Sequence, residues 1–284
     1  LFVSVDSESP LSVFLTTHSP HIASVAPLRS IVLLTEPPGT GPHGCSPASI
    51  KLTEAEVDDL ARYLDVTRAE MLFARGVILV EGDAERFLVP AAAKALDKPL
   101  DHLGITVCSV AGTNFVPYAK LLTGLGIPFA VATDWDDLEG YDNPLGWTRS
   151  LDIIAAIEKM RTGKSAQDLV DELNGIDDPN EFCDRCAKYG VFSNLDTLEV
   201  DLFKSDTYRA LVTDTLREGP FGTKRLQRLD AWQNSPTEID RAQFLSMVEE
   251  IGKGRFAQRL AARIKKEKPL QYIADAINFV ADRV

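Results

Sequence analysis

Glu81, Asp134 and Asp136 are the residues of this chain best placed to do chemistry. Val77-Ile78-Leu79-Val80 leads into Glu81, and Phe129-Ala130-Val131-Ala132-Thr133 leads into the Asp134-Trp135-Asp136 triplet. Apolar, β-branched runs of this kind read as strands of a parallel sheet buried on both faces. Ligands of open α/β sheets bind beyond the carboxyl ends of the strands, which places the three carboxylates on one edge. Clustered carboxylates repel one another unless a cation sits among them. Oxygen donors of this type suit Mg²⁺, Mn²⁺ or Ca²⁺, not zinc. Glu85 follows Glu81 by about one helical turn and would face the same side. Metal-assisted phosphoryl transfer is the chemistry such a cluster supports. Two plainer accounts compete with it. Glu81 and Glu85 would suit the dipole of a helix start, and Asp134 and Asp136 would suit a solvated acidic loop continued by Asp137, Glu139 and Asp142.

The elements that must position these residues alternate along the chain. Strands are expected at 77–80, 105–110, 128–133 and 189–192, with helices at 83–96 and from about 114 to 122. That alternation implies a parallel α/β sheet with right-handed crossovers and flanking helices. Residues 145–188 interrupt it as a charged, helical insertion, and residues 205–284 read as a helical C-terminal region. Upstream, 1–35 reads as strand, loop, helix and strand, the last strand at 30–34. The Pro- and Gly-rich stretch 36–49 reads as a loop. Thr53, followed by Glu54 and Glu56, is the N-cap of a short helix, and a further helix is expected at 67–72. The division expected is 1–50, a helical connector at 51–74, a core made of 75–144 with 189–204, the insertion, and the C-terminal region.

A length of 284 residues accommodates two domains and a small third. Hydrophobic content of 45% and charged content of 25% are ordinary for a globular protein, so the chain can bury a core. No apolar run reaches the roughly 18 residues of a membrane span. The first residue is Leu, which reads as a fragment of something longer. Four scattered cysteines make no disulfide framework and fit a reducing cytoplasm. A net charge of −12 excludes a uniformly basic surface, but local charge decides nucleic-acid binding. Residues 253–268 hold Lys253, Arg255, Arg259, Arg263, Lys265, Lys266 and Lys268 against one acid, Glu267. Arg255, Arg259 and Arg263 recur every four residues, as a phosphate-binding stripe or a solvated helix face would. Lys253, between two glycines on an expected loop, could bring an ammonium to a phosphate; the alternative is an exposed lysine before a helix.

Several other patterns carry less. His18 and His21 lie in a Thr-Ser-Pro loop with no further ligands nearby. Gly163-Lys164-Ser165 imitates the end of a phosphate-binding loop, yet the required upstream glycine position holds Glu158. Cys183 and Cys186 form a lone CxxC without the second pair that structural zinc needs. No tyrosine sits in a context that marks it as a nucleophile, and the aromatic residues are dispersed.

Glu81-Gly82-Asp83-Ala84-Glu85 followed by Asp134-Trp135-Asp136 resembles the acidic signature of Toprim domains, with Val110-Ala111-Gly112-Thr113-Asn114 at a strand-to-helix turn between them. Leu198-Glu199-Val200-Asp201 resembles the LExD motif, and Gly252-Lys253-Gly254-Arg255-Phe256-Ala257 the late lysine motif, of the OLD (overcoming lysogenization defect) nucleases. The ordered set of motifs is specific where each alone is weak. The resemblance implies a Toprim-like, Rossmannoid parallel sheet as the catalytic core. It also implies Glu199 and Asp201 as further metal ligands, and a site holding two divalent cations, Mg²⁺ or Mn²⁺ with Ca²⁺ as a substitute. Glu81 and Lys253 would act in catalysis on DNA, and the stripe of Arg255, Arg259 and Arg263, read from its spacing, would bind it. Thr16-Thr17-His18-Ser19-Pro20-His21 resembles the switch segment of an ABC-type ATPase, which makes 1–50 the end of such a domain and His18 a nucleotide sensor. ATP and any homodimer would then act through the remainder of that ATPase. The implied activity is DNA endonuclease or nickase. A topoisomerase- or primase-like phosphoryl transferase and a non-catalytic, ATP-regulated scaffold are the alternatives.

Overall fold

The computed structural model describes residues 13–35, 41–137 and 143–284, so Glu139, Tyr141 and Asp142 lie outside the described residues. Its centre is a four-stranded, all-parallel sheet. Numbering strands from the N-terminus, β1 is Leu33–Thr35, β2 His43–Cys45, β3 Gly76–Val80, β4 Ile105–Ser109, β5 Phe129–Thr133 and β6 Val191–Ser193. The sheet order is β4-β3-β5-β6. The chain leaves β3 towards β4 on one side and returns to β5 on the other. The topological switch point therefore lies between the ends of β3 and β5, where α/β sheets open a crevice.

The sheet is buried on both faces, as its unbroken apolar runs require. Ile78, Val80, Ala130, Ala132 and Phe192 point into one core, and Val77, Leu79, Phe129, Val131 and Val191 into the other. The first core is closed by helices Asp83–Ala95, Lys253–Ala261 and Gln271–Ala281, the second by helices Val116–Leu125 and Leu145–Thr162. The insertion and the C-terminal region thus each cover one face of the same sheet. Fully buried side chains such as Phe256 and Leu260 each contribute about 1.5–3 kcal/mol to that closure.

Local departures from the sequence expectations have local causes. The helix expected from about 114 begins at Val116, because Pro117 is tolerated only in a first turn. Gly190 has φ +83°, which turns the chain and delays β6 to Val191. Within the stretch read as a loop, His43–Cys45 pairs antiparallel with Leu33–Thr35. Thr53 caps helix Glu54–Tyr63 as expected and exchanges hydrogen bonds with Glu56 in a capping box. The expected 67–72 helix is a short α-turn, Val66–Ala69, running into a 3₁₀ turn, Glu70–Phe73. No described helix is long and apolar enough to cross a membrane.

Candidate active site

In-register pairing of β3 with β5 sets Val80 against Ala132 and brings the next residues, Glu81 and Thr133, together at the switch point. Glu81 Oε1 accepts hydrogen bonds from Thr133 Oγ1 at 2.5 Å and from the Asp134 amide at 2.8 Å. Asp134 Oδ1 accepts from Asn194 Nδ2 at 2.8 Å and from the Leu198 amide at 3.0 Å, which ties it to the end of β6. Trp135 turns the opposite way into a buried aromatic group. Its ring meets Trp147 and Phe182 edge-on at 5.8 and 6.0 Å, and those two stack at 3.7 Å. The aromatic residues are therefore less dispersed than their sequence positions imply, and this cluster anchors the loop between the two aspartates.

Glu85 and Glu199 complete the buried acids. Glu85 is 8% exposed and accepts the Gly82 amide at 3.1 Å across the start of its helix. Gly82 itself is extended, and a side chain there would meet only ordinary contacts, so no backbone strain calls for glycine. Glu199 lies on helix Leu198–Lys204 and is 2% exposed. Its Oε1 stands 3.3 Å from Lys253 Nζ, while its Oε2 is buried without a hydrogen-bond partner. Because that segment is helical, Glu199 and Asp201 stand about 200° apart around the axis. Asp201 faces the 195–196 turn, whose amides it accepts, and the structure does not bring it into the cluster.

Lys253 opens helix Lys253–Ala261; it does not lie on a loop. Gly252, at φ +92°, supplies the turn before it. A Cβ on Gly254 would stand 3.2 Å from Asp83 Cβ, so the second glycine lets this helix approach helix Asp83–Ala95. The Gly-Lys-Gly pattern is thus a docking device that delivers an ammonium to Glu199. The expected arginine stripe is broken by structure. The helix ends at Ala261, and both Arg259 and Arg263 pair with Glu218, leaving Arg255 exposed. His18 is exposed in an irregular segment that enters helix Pro20–Val25.

Arg149 was not apparent from sequence. It lies in the first turns of helix Leu145–Thr162, with a side chain only 10% exposed. Its Nη1 donates to Glu81 Oε1 at 2.6 Å, to Thr133 Oγ1 and to the Asp134 carbonyl at 3.2 Å, and its Nη2 donates to Asp136 Oδ2 at 2.9 Å. Gly146 makes this placement possible. A Cβ there would collide with the Asp134 carbonyl and stand 2.8 Å from Trp135 Cα, neither of which can yield. We expect Gly146→Ala to cost about 1–3 kcal/mol, the scale of overpacking, seen as a lower melting temperature. An unchanged melting temperature would mean that helix and loop are not held together as described.

Burial drives the electrostatics. It pushes the Asp134 carboxyl well above its ordinary range, with Glu81, Glu85 and Glu199 adding repulsion. It raises Glu85 to about 7, again with repulsion from Glu81 and Glu199. It raises Glu81 too, against the opposing pull of Arg149. Asp201 rises to about 6 through burial and Asp196. Burial pulls the Lys253 ammonium down, but Glu199, Asp134 and Glu85 outweigh it, so Lys253 stays charged. The Tyr272 ring is partly exposed, but its hydroxyl is buried, lacks a partner and feels the same acids.

A raised folded-state carboxyl stabilises the protein fully below its unfolded value and loses that contribution as pH rises through its folded value. For Glu85 the window runs from 4.5 to about 7. In EDTA we therefore expect the melting temperature to fall between about pH 5 and pH 8, with Glu85 accounting for about 3 kcal/mol. Glu85→Gln should flatten the profile. A wild-type melting temperature that climbs across this range would show that the cluster is not a repulsive one.

The donor set suits a hard divalent cation. It is all oxygen, Glu85, Asp134 and Glu199 are buried with Glu81 and Asp136 half-buried, and the Glu199 Oε2 atom lacks a hydrogen-bond partner. Glu81, Glu85, Asp134, Asp136 and Glu199 are the residues that would hold it. They are not preassembled as a shell: among the described residues no three His, Cys, Asp or Glu side chains form a group that could hold an ion. Arg149 takes up Glu81 and Asp136 instead.

Residues 72–136 match the family model described as "Overcoming lysogenization defect protein-like, TOPRIM domain". The chain resembles the C-terminal region of the Burkholderia pseudomallei OLD protein, with 40% identity and a TM-score of 0.62, over 74% of this chain and 98% of that one. The C-terminal region of the Xanthomonas campestris pv. campestris OLD protein, phased with mercury, is also 40% identical, with a TM-score of 0.60 over 74% and 96% of the two chains. Among curated proteins, the Escherichia coli protein named "Uncharacterized protein YbjD" is 26% identical over 129 residues, and the match spans 23% of its length. The matched domain is of the Toprim type, which points to phosphoryl-transfer chemistry, a nuclease's among them. The fold, the order of the acidic motifs and these likenesses agree: the chain belongs to the OLD family, as a C-terminal region carrying the Toprim domain.

Proposed function

We propose that this chain is the nuclease half of an ATPase–nuclease, a divalent-metal-dependent DNA endonuclease that also nicks. One observation carries this reading. Four carboxylates from three separate chain segments, Glu81 with Glu85, Asp134, and Glu199, converge at the switch point beside Lys253. Bound divalent cations supply a nucleophilic water at neutral pH and a counter-charge for the leaving oxygen. The residues then have separate tasks. Glu81 and Asp134 fix the donor oxygens at the ends of adjacent strands, and Glu85 and Glu199 add buried negative charge. Lys253, kept protonated, offsets charge developing on the phosphorus oxygens. Arg255, exposed and two residues beyond Lys253 on the same helix, is the cation we assign to the DNA backbone. Arg259 and Arg263, already paired with Glu218, contribute less than their spacing implies.

ATP enters this reading through the segment at 1–50, with His18 as sensor, and a homodimer through the rest of that ATPase. A topoisomerase needs an accessible tyrosine over the acids. Among the described residues Tyr272 is the tyrosine that feels their charge, and its hydroxyl is buried. The test is cleavage of supercoiled and linear plasmid across a panel of divalent metals, with EDTA as control. Metal-dependent conversion of supercoiled to nicked and linear DNA is expected. A covalent phosphotyrosyl adduct would overturn the nuclease reading in favour of a topoisomerase, and inertness with every metal would favour the scaffold.

A further inference from the structure

Arg149 is an almost buried cation, and its guanidinium bonds the residues proposed to receive a divalent ion. It bridges two carboxylates from different strand ends, Glu81 and Asp136, and also takes the Thr133 hydroxyl and the Asp134 carbonyl. Asp136 reaches it from a left-handed backbone conformation, φ +51°, which aspartate tolerates better than most residues. The supporting helix is brought against the loop by Gly146, whose missing side chain leaves just the room its close backbone contact needs.

We infer that Arg149 is a built-in counterion of Glu81 and Asp136 that competes with a divalent cation for these two carboxylates, so that loading would require its displacement. The inference rests on the proposed metal site. Two consequences follow from electrostatics. Without Arg149, the metal-free protein leaves Glu81 and Asp136 facing each other with no neutralising charge. A divalent ion held by Glu81 and Asp136 would no longer compete with a guanidinium or feel its repulsion, which is worth on the order of ten-fold or more in affinity.

The test measures Mn²⁺ binding to the full chain by calorimetry and by loss of the free-ion electron paramagnetic resonance signal, together with melting in EDTA. Wild type, Arg149→Met, Arg149→Lys and Asp134→Asn would be compared. Arg149→Met should bind Mn²⁺ about ten-fold or more tightly than wild type, because a unit-charge repulsion is removed in a partly buried site. Its melting temperature in EDTA should fall, and Mn²⁺ should restore it. Arg149→Lys keeps the charge but cannot bridge both carboxylates, so a smaller gain in affinity is expected; it decides the matter if the methionine variant does not fold. Mn²⁺ binding by these variants that is equal to or weaker than a measurable wild-type affinity overturns the counterion role and leaves the metal site standing. If wild type, both arginine variants and Asp134→Asn all fail to bind Mn²⁺, the metal site itself falls and the inference with it.

Discussion

Asp134→Asn is expected to lower single-turnover cleavage of supercoiled DNA by at least about 10³-fold, the several kcal/mol a bound cation supplies to a charged transition state. Asparagine keeps the shape, and its amide oxygen can still accept from Asn194 Nδ2 and the Leu198 amide. What it removes is the charge. The same substitution should therefore leave the metal-free protein as stable as wild type or more so, because Asp134 is buried against the repulsion of Glu81, Glu85 and Glu199. Loss of activity with retained or raised stability is the expected signature of a residue kept for function at the expense of folding. Glu81→Gln should follow the same pattern in cleavage but lose some stability, since it weakens an ion pair with Arg149 at 2.6 Å. Folded Asp134→Asn that cleaves at the wild-type rate would sink the assignment of this carboxylate to the metal.

The contrast between Asp134 and Arg149 shows what sequence can and cannot reveal here. Glu81 and Asp134 were legible because each ends an unbroken apolar run, and parallel sheets place such ends on one edge. Arg149 has no local signature. Its position depends on Gly146 fitting against the Asp134 carbonyl, a contact that exists only once helix and loop have docked. Glu199 and Asp201 were read together because both fall in the LExD-like motif. Asp196-Thr197 before Leu198 is a helix-start signal, and applying it would have separated the two around the helix. Lys253 was placed on a loop because flanking glycines ordinarily break helices. Gly252 does act as a terminus, but Gly254 serves close packing inside the helix. The arginine stripe was drawn from spacing alone, and spacing carries no information about Glu218, which is remote in sequence.

Lys253→Ala is expected to slow single-turnover cleavage by about 10²-fold or more while changing DNA affinity little, the scale of losing one positioned charge stabiliser. The argument rests on where the ammonium is held. Its Nζ is 3.3 Å from Glu199 Oε1, among acids that keep it protonated, so at neutral pH it is a charge donor and not a base. Its side chain is about half exposed, which leaves it open to substrate. Lys253→Arg keeps the charge and should retain more activity than alanine, though a planar fork cannot reproduce a point charge at the start of a tightly docked helix. Arg255→Ala should show the opposite division, with weaker DNA binding, a shallower salt dependence and a near-normal rate once DNA is bound. Arg259→Ala and Arg263→Ala should weaken binding less than Arg255→Ala, because Glu218 already holds both. If Lys253→Ala instead lowers affinity and cleaves bound DNA at the normal rate, Lys253 is a phosphate anchor, and the charge that stabilises the transition state must come from elsewhere.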